Sequence, residues 1–323
     1  MSNYKNRQPD EEFHLKNRKK QKLYQKNPAT IDGQLEKLRE RGCIIEDEAE
    51  ARATLSTVNY YRLAYYFAIF LEDKNKYREG TSFNKVVRIY DFDRKLRNLL
   101  LDVLEEIEVA MRAYVSNYHA LKYGATGYMN SGSFGYSHRH QPFLSKIERI
   151  VEANGDSTIV LHHVQKYDGS FPLWAIMELF SFGMLNTFYC DMKPEDKDEI
   201  AEQYFGVSSR TLDNWLHCMG DLRNHCAHYH RLYANGFDQI PKQPKNLDRP
   251  IGNTVFDYVL IIKALYCRKN RWNDGFVRQF RRLLYDYRDV VDLEQIGFPE
   301  NWEEMLIQPQ EPASVADAPE QEQ

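Results

Sequence analysis

The chain has 323 residues, 42% hydrophobic and 28% charged, which excludes a wholly disordered or fibrous protein and leaves room for one large domain with appendages or two small ones. Its formal net charge of −4 hides an uneven distribution, with Lys and Arg concentrated in residues 1–28 and Glu311, Asp317, Glu320 and Glu322 without a cation in residues 307–323. Five scattered cysteines (Cys43, Cys190, Cys218, Cys226, Cys267) lack CxxC spacing, no apolar run approaches membrane-spanning length and no signal peptide opens the chain, so a disulfide framework and a membrane protein are excluded and a cytoplasmic protein is expected.

In chain order, residues 1–28 form a basic arm around Arg18-Lys19-Lys20 and Lys22, either a nucleic-acid contact or a solvated, disordered end. Residues 29–75 read as a small N-terminal helical region. Thr30 caps a helix that Gly42 ends, Asp47 caps a second, and the aromatic run from Asn59 to Leu71 makes a third. Polar residues and glycine near Lys76–Ser82 break the chain before a main helical domain over residues 76–306.

That domain opens on the clearest helix, from about Lys85 to Lys122, where Leu96, Leu100, Val103, Leu104, Ile107, Met111, Tyr114 and Tyr118 recur at three- and four-residue steps. Residues 124–142 read as a long loop, followed by helices near 142–153 and 157–166. Pro172 fits the first turn of an apolar helix that Gly183 interrupts or ends. Ser208 or Ser209 caps a helix carrying Leu212, Trp215, Leu216, Met219 and Leu222. Pro241 and Pro244 mark an irregular connection, two helices follow around Thr254–Arg268 and Asp274–Val290, and residues 307–323 make an acidic, disordered tail. With no strong alternating segment and no internal repeat, the fold class is all-α.

The helix begun near Ser208 ends in Asp221-Leu222-Arg223-Asn224-His225-Cys226-Ala227-His228-Tyr229-His230-Arg231-Leu232-Tyr233. An ideal helix puts His228 one turn beyond Asn224 on the same face, Arg223 about 140° away within reach of a shared phosphate, and His230 nearly on the face of Arg223, so spacing does not choose between the two histidines. Arginine can grip two phosphate oxygens, and histidine can take or give a proton near neutral pH. Together they suit RNA cleavage by attack of a ribose 2′-hydroxyl on the adjacent phosphate. One imidazole cannot easily serve as both acid and base, and a second copy across a two-fold axis would supply the other. The bland reading of the pair is a buried structural cap on the helix carbonyls.

Arg223-Asn224-His225-Cys226-Ala227-His228 with Arg231-Leu232 resembles the signature of the Abi-like (abortive infection) proteins of the AbiD and AbiF type, within the HEPN superfamily of Arg-x4-6-His RNases. The resemblance extends over Gln34-Leu35, Gly42-Cys43-Ile44-Ile45, Asn59-Tyr60-Tyr61-Arg62-Leu63, Tyr90 to Arg97, Glu108 to Arg112, Pro172-Leu173-Trp174, Glu178-Leu179, Ser181-Phe182-Gly183, Gly297-Phe298-Pro299 and Trp302. It implies a HEPN-type helical bundle acting as a homodimer, a metal-independent endoribonuclease of phage defence or a toxin–antitoxin system, with 2′,3′-cyclic phosphate and 5′-hydroxyl products. It selects His228 over His230 as the motif histidine, with Arg223 on the phosphate and Asn224 orienting. A neutralising RNA or protein is the implied partner. His230 and Tyr233 depart from the usual pattern, where a small residue and often Trp stand.

Glu108 and Arg112, spaced i,i+4, are either a surface ion pair or auxiliaries that orient Arg223 or His228; His230 is a further auxiliary candidate, and Arg231 and Tyr233 are expected to contact RNA. Cys218, His225, Cys226, His228 and His230 do not fit a zinc pattern, so neither a metal nor another cofactor is expected. The aromatics at 60–70 fit the core better than base stacking, though both are open. The alternatives to catalysis are a non-catalytic RNA-binding module and a protein-interaction scaffold.

Overall fold

Short capping signals start and stop the first helices of the computed structural model, which describes residues 27–245 and 247–307. The proposed basic arm and acidic tail lie outside the described residues except for their inner ends. Thr30 accepts from the Gly33 amide at 3.2 Å and opens α1 (Ile31–Glu40), and Asp47 accepts from the Glu50 amide at 3.0 Å and opens α2 (Glu48–Thr57). Asn59 does the same for α3 (Tyr60–Phe67), accepting from the Tyr61 amide at 2.7 Å.

The aromatic helix expected to reach Leu71 ends earlier. It passes through a 3-10 turn (Ala68–Phe70) into a small antiparallel hairpin, β1 (Leu71–Asp73) and β2 (Lys76–Tyr77), with Leu71 opposite Tyr77. β1 is exposed throughout, so no apolar alternation announced it.

The long apolar repeat becomes α4 (Phe83–Tyr123), 41 residues and so about 60 Å long. Its buried stripe includes Leu96, Leu100, Leu104, Ile107, Met111 and Val115. The expected loop that follows contains two 3-10 turns, Gly127–Met129 and Ser131–Ser133. Then come α5 (His140–Ala153), α6 (Thr158–Tyr167) and the short α7 (Leu173–Ile176), after which a 3-10 turn closes the apolar run.

Gly183 neither interrupts nor ends a helix: Ser181 caps α8 (Phe182–Asp191), and Gly183 lies in its first turn. α9 (Pro194–Phe205) begins on a proline, whose missing amide hydrogen costs nothing at a helix start. α10 (Ser209–Ala227) carries the motif, and α11 (Val255–Leu265) opens on a capping box between Thr254 and Asp257. α12 (Lys269–Trp272) runs through a π turn (Asn273–Val277) into α13 (Arg278–Tyr287), and α14 (Trp302–Leu306) closes the described chain.

α4 is the strut against which α3, α7, α8, α9, α10, α11 and α13 pack. One continuous set of buried side chains joins Leu35 and Leu38 of α1, through α4 and α11, to Leu306 of α14. The fold is all-α apart from the hairpin. All five cysteines are free thiols. Among the described residues no helix is long and apolar enough to cross a membrane.

Candidate active site

The sequence makes α10 two-sided. Leu212, Trp215, Leu216, Met219, Leu222 and Cys226 are buried, chiefly against α4 and α8, while Asn224 is exposed and Arg223 half-exposed on the remaining faces. Ser208 caps the start of the helix, and the Trp215 indole donates to the Lys242 carbonyl at 2.8 Å. Burial pushes the Cys226 thiol up to about 12 and the Cys218 thiol up to about 11, so neither is a thiolate at neutral pH.

The last turn is closed by its own backbone. The His228 amide donates to the Asn224 carbonyl at 2.9 Å, that of Tyr229 to Cys226 at 3.2 Å, and that of His230 to His225 at 2.9 Å. This crossed pair of bonds is a Schellman closure, which needs a left-handed residue at its centre. Glycine is the usual choice, yet here Tyr229 takes φ +62°. α3 reaches over to hold it: Arg62 Nη1 donates to the Tyr229 carbonyl at 3.0 Å.

A buried charged network grips the residues just beyond. Asp93 on α4 accepts from the Tyr233 amide at 2.8 Å, the Leu232 amide at 3.1 and 3.2 Å, the Tyr66 hydroxyl at 2.7 Å, and Arg97. Arg97 also donates to the His230 carbonyl at 3.2 Å. Asp93 is fully buried and Arg97 nearly so. Burial pushes the Asp93 carboxyl up, and Arg97, Tyr66 and the two amides pull it partly back. The outcome is a motif turn fixed from behind by α4 and from the side by α3, with its functional groups facing out.

Those groups are one guanidinium, an amide and three imidazoles. Arg223 makes no ion pair or hydrogen bond among the described residues, and His228 and Asn224 are exposed. His228 and His230 have ring centres 6.2 Å apart, and His225 and His230 5.0 Å apart. His225 Nδ1 lies 3.0 Å from the Asp221 carbonyl and 3.3 Å from its carboxylate. Burial first, then the charges of His225, His228 and Arg62, lowers the pKa of His230 and favours its neutral form. Among the described residues no set of His, Cys, Asp or Glu gathers as ligands for a metal ion. The arrangement offers a free guanidinium for an anion and solvent-facing imidazoles for proton transfer.

The remaining sequence candidates divide. His230 lies in the cluster, but not by the helical register with Arg223 expected over seven residues, because the helix stops at Ala227 and Tyr229 turns the chain. Tyr233 is buried, its hydroxyl accepting from the Asp292 amide at 3.0 Å, and Arg231 donates to the Tyr65 and Ala234 carbonyls. Both hold the turn, and a ring sealed in the core cannot stack on a base. Glu108 and Arg112 bond each other at 2.5 Å, and Arg112 donates to the Phe180 carbonyl at 2.8 Å; neither reaches Arg223 or His228. The groups that do position the turn, Asp93, Arg97, Tyr66 and Arg62, were not singled out from the sequence. A usable signal was there: Asp93 and Arg97 sit i,i+4 beside Phe92 and Leu96 in the apolar stripe of α4, where an unpaired charge would be costly.

Comparison with curated proteins and with solved structures finds no match. The family model described as Abi-like protein matches residues 53–234, from α2 through the turn after α10. That span is more than half of the chain and takes in the motif, the strut that braces it and the helix that overlies it, and the chain belongs to the Abi-like protein family.

Proposed function

We propose that this protein is a metal-independent endoribonuclease of HEPN type, acting in abortive infection against phage or as the toxin of a toxin–antitoxin pair. The observation that carries the reading is an Arg223 guanidinium with no partner among the described residues, at a helix end whose histidine and asparagine face solvent. A merely structural Arg–His cap would have its guanidinium on the helix carbonyls. Membership of the Abi-like family supports the defence role.

In the proposed reaction the 2′-oxygen of the substrate ribose attacks the adjacent phosphorus and the 5′-oxygen of the next nucleotide leaves. A base takes the 2′ proton and an acid protonates the leaving oxygen, giving 2′,3′-cyclic phosphate and 5′-hydroxyl ends. Arg223 binds the non-bridging oxygens and offsets the charge that builds in the transition state. His228 carries one proton and Asn224 orients the reacting groups. The second carrier is the partner His228 of a homodimer, with His230 beside it as an auxiliary.

The test is cleavage of single-stranded RNA by the purified full chain in EDTA, with end-group analysis. Wild type is expected to give the cyclic and hydroxyl ends, and His228→Ala and Arg223→Ala to lose on the order of 100-fold or more. Equal cleavage by wild type and His228→Ala rejects the assignment. RNA bound but recovered intact from wild type puts a non-catalytic RNA-binding protein in its place.

A further inference from the structure

The aromatic run of α3 splits in two. Leu63, Tyr66 and Phe67 are buried, whereas Tyr61 is 70% and Tyr65 54% exposed. The two outer rings meet edge to face at 5.3 Å with their hydroxyls 3.3 Å apart. This face is tied to the motif turn at two points: Arg62 holds the Tyr229 carbonyl, and Arg231 holds the Tyr65 carbonyl. The Arg62 guanidinium lies 5.7 Å from the centre of the Tyr229 ring, and that ring is 64% exposed.

Tyr229 is the anomaly. It occupies a left-handed position where glycine would close the helix without strain, and its ring lies outside the core. A bulky residue kept in a sparsely populated conformation with its side chain in solvent points to a role outside the fold. Arg62, like Arg223, has no carboxylate partner among the described residues. Three exposed rings and two guanidiniums with no carboxylate partner among the described residues, next to exposed imidazoles, suit a polyanion with flat, unpaired bases better than a protein surface, which would have to desolvate those cations.

We propose that Tyr61, Tyr65 and Tyr229, with Arg62 between them, form a stacking subsite for the unpaired bases of single-stranded RNA that flank the phosphate held by Arg223. This inference rests on RNA being the ligand of the motif, and specifies the form of RNA taken. Double-stranded RNA, whose bases are already stacked on one another, is a poor ligand for such a site.

The experiment measures binding by fluorescence anisotropy with the full chain carrying His228→Ala, so that RNA is not consumed. The probes are a short single-stranded RNA, the same strand with abasic sugars, and its duplex. Adding Tyr229→Gly or Tyr61→Leu is expected to weaken the ordinary strand on the order of 10-fold, to leave the abasic strand unchanged, and to be rescued by Tyr229→Phe or Tyr61→Phe. Tyr229→Gly is expected to keep or raise the Tm, since it relieves the left-handed strain, so lost binding cannot be blamed on unfolding. Affinity unchanged by the tyrosine variants overturns the subsite and leaves the nuclease reading intact. So does equal loss for ordinary and abasic strands, or a change in sedimentation with RNA affinity unchanged, which marks the face as a protein interface. Failure of the parent chain to bind any RNA overturns the subsite and the RNA reading together. Ring-dependent binding with no cleavage by wild type keeps the subsite and removes the nuclease.

Discussion

Removing the Asp93 carboxylate would leave Arg97, the Tyr66 hydroxyl and two backbone amides without their acceptor in a site closed to water. Breaking one side of a buried pair costs about 3–5 kcal/mol, because the partner charge stays behind uncompensated. Asp93→Ala is therefore expected to lose about that much stability in urea unfolding. Glu108→Ala, from a pair whose side chains keep some solvent contact, should lose about 1 kcal/mol. A larger loss for Glu108→Ala would mean that the brace of the motif is wrongly placed. Both pairs are i,i+4 acid–arginine pairs on one helix, and spacing alone cannot tell them apart. What separates them is the tertiary approach of the turn at residues 230–233, which local sequence does not encode.

His119 gives the fold a pH-dependent stability. It is fully buried on α4 among Tyr123, Phe134 and Phe188, neither ring nitrogen has a hydrogen-bond partner among the described residues, and burial lowers its pKa to about 4. The folded state thus holds His119 neutral while the unfolded chain protonates near pH 6.5. The stability this provides is full above pH 6.5 and is lost as pH falls from there to about 4, a change on the order of 3 kcal/mol. His119→Leu should flatten the stability curve by that amount in this window, read as the difference between variant and wild-type unfolding free energies. Parallel curves for the two proteins from pH 7 to pH 4 would refute the assignment.

At the scale of elements, legibility followed the number of turns over which a pattern repeats. α4 and α10 were visible because their apolar stripes persist through many turns, and because the polar break at 76–82 and Ser208 precede their starts. The β1–β2 hairpin was invisible because three exposed residues carry no periodicity. α9 was passed over although Pro194, Glu195 and Asp196 spell a helix start, since its buried face is reduced to a few residues such as Ile200 and Ala201. Gly183 reads as a breaker because a glycine after an apolar run looks like a helix end, whereas here it lies two positions past the serine cap that opens α8. At the site, the proximity of Arg223, Asn224 and His228 was legible since they lie on α10 or at its C-cap. The displacement of His230 was not, because a tyrosine in the left-handed region is not foreseen from residue type.

The end of the described chain depends on one close approach of this kind. Gly297 sits at φ +77°, and a Cβ there would overlap Thr254 Oγ1 and Cβ. Thr254 is the cap of α11, with its amide 2.9 Å and its hydroxyl 2.6 Å from Asp257 Oδ2. Gly297→Ala would strain the backbone and push the cap off the helix in one step, at a cost of about 2 kcal/mol or more. A thermal melt should show a clear fall in Tm. An unchanged melt would mean that this turn does not rest on the capping box.

For the whole molecule, the question is whether one motif suffices. Each chain presents Arg223 and His228 once, and the general acid and general base of the proposed reaction act on opposite sides of one phosphorus. A two-fold assembly that faces the motifs toward each other supplies both from identical surfaces. Subunit mixing separates this from two independent sites. At fixed total protein, equal amounts of wild type and His228→Ala with free exchange leave about one quarter of the dimers with two intact motifs and about half of the chains wild type. A shared cleft therefore predicts cleavage near one quarter of the pure wild-type value, and independent sites predict near one half. Dilution adds a second reading, since activity per chain should fall as dimers dissociate if the cleft is shared and stay constant if it is not. A mixing value near one half with no dilution effect would place both proton transfers within one chain, and His230, 6.2 Å from His228, would then be the residue to replace next.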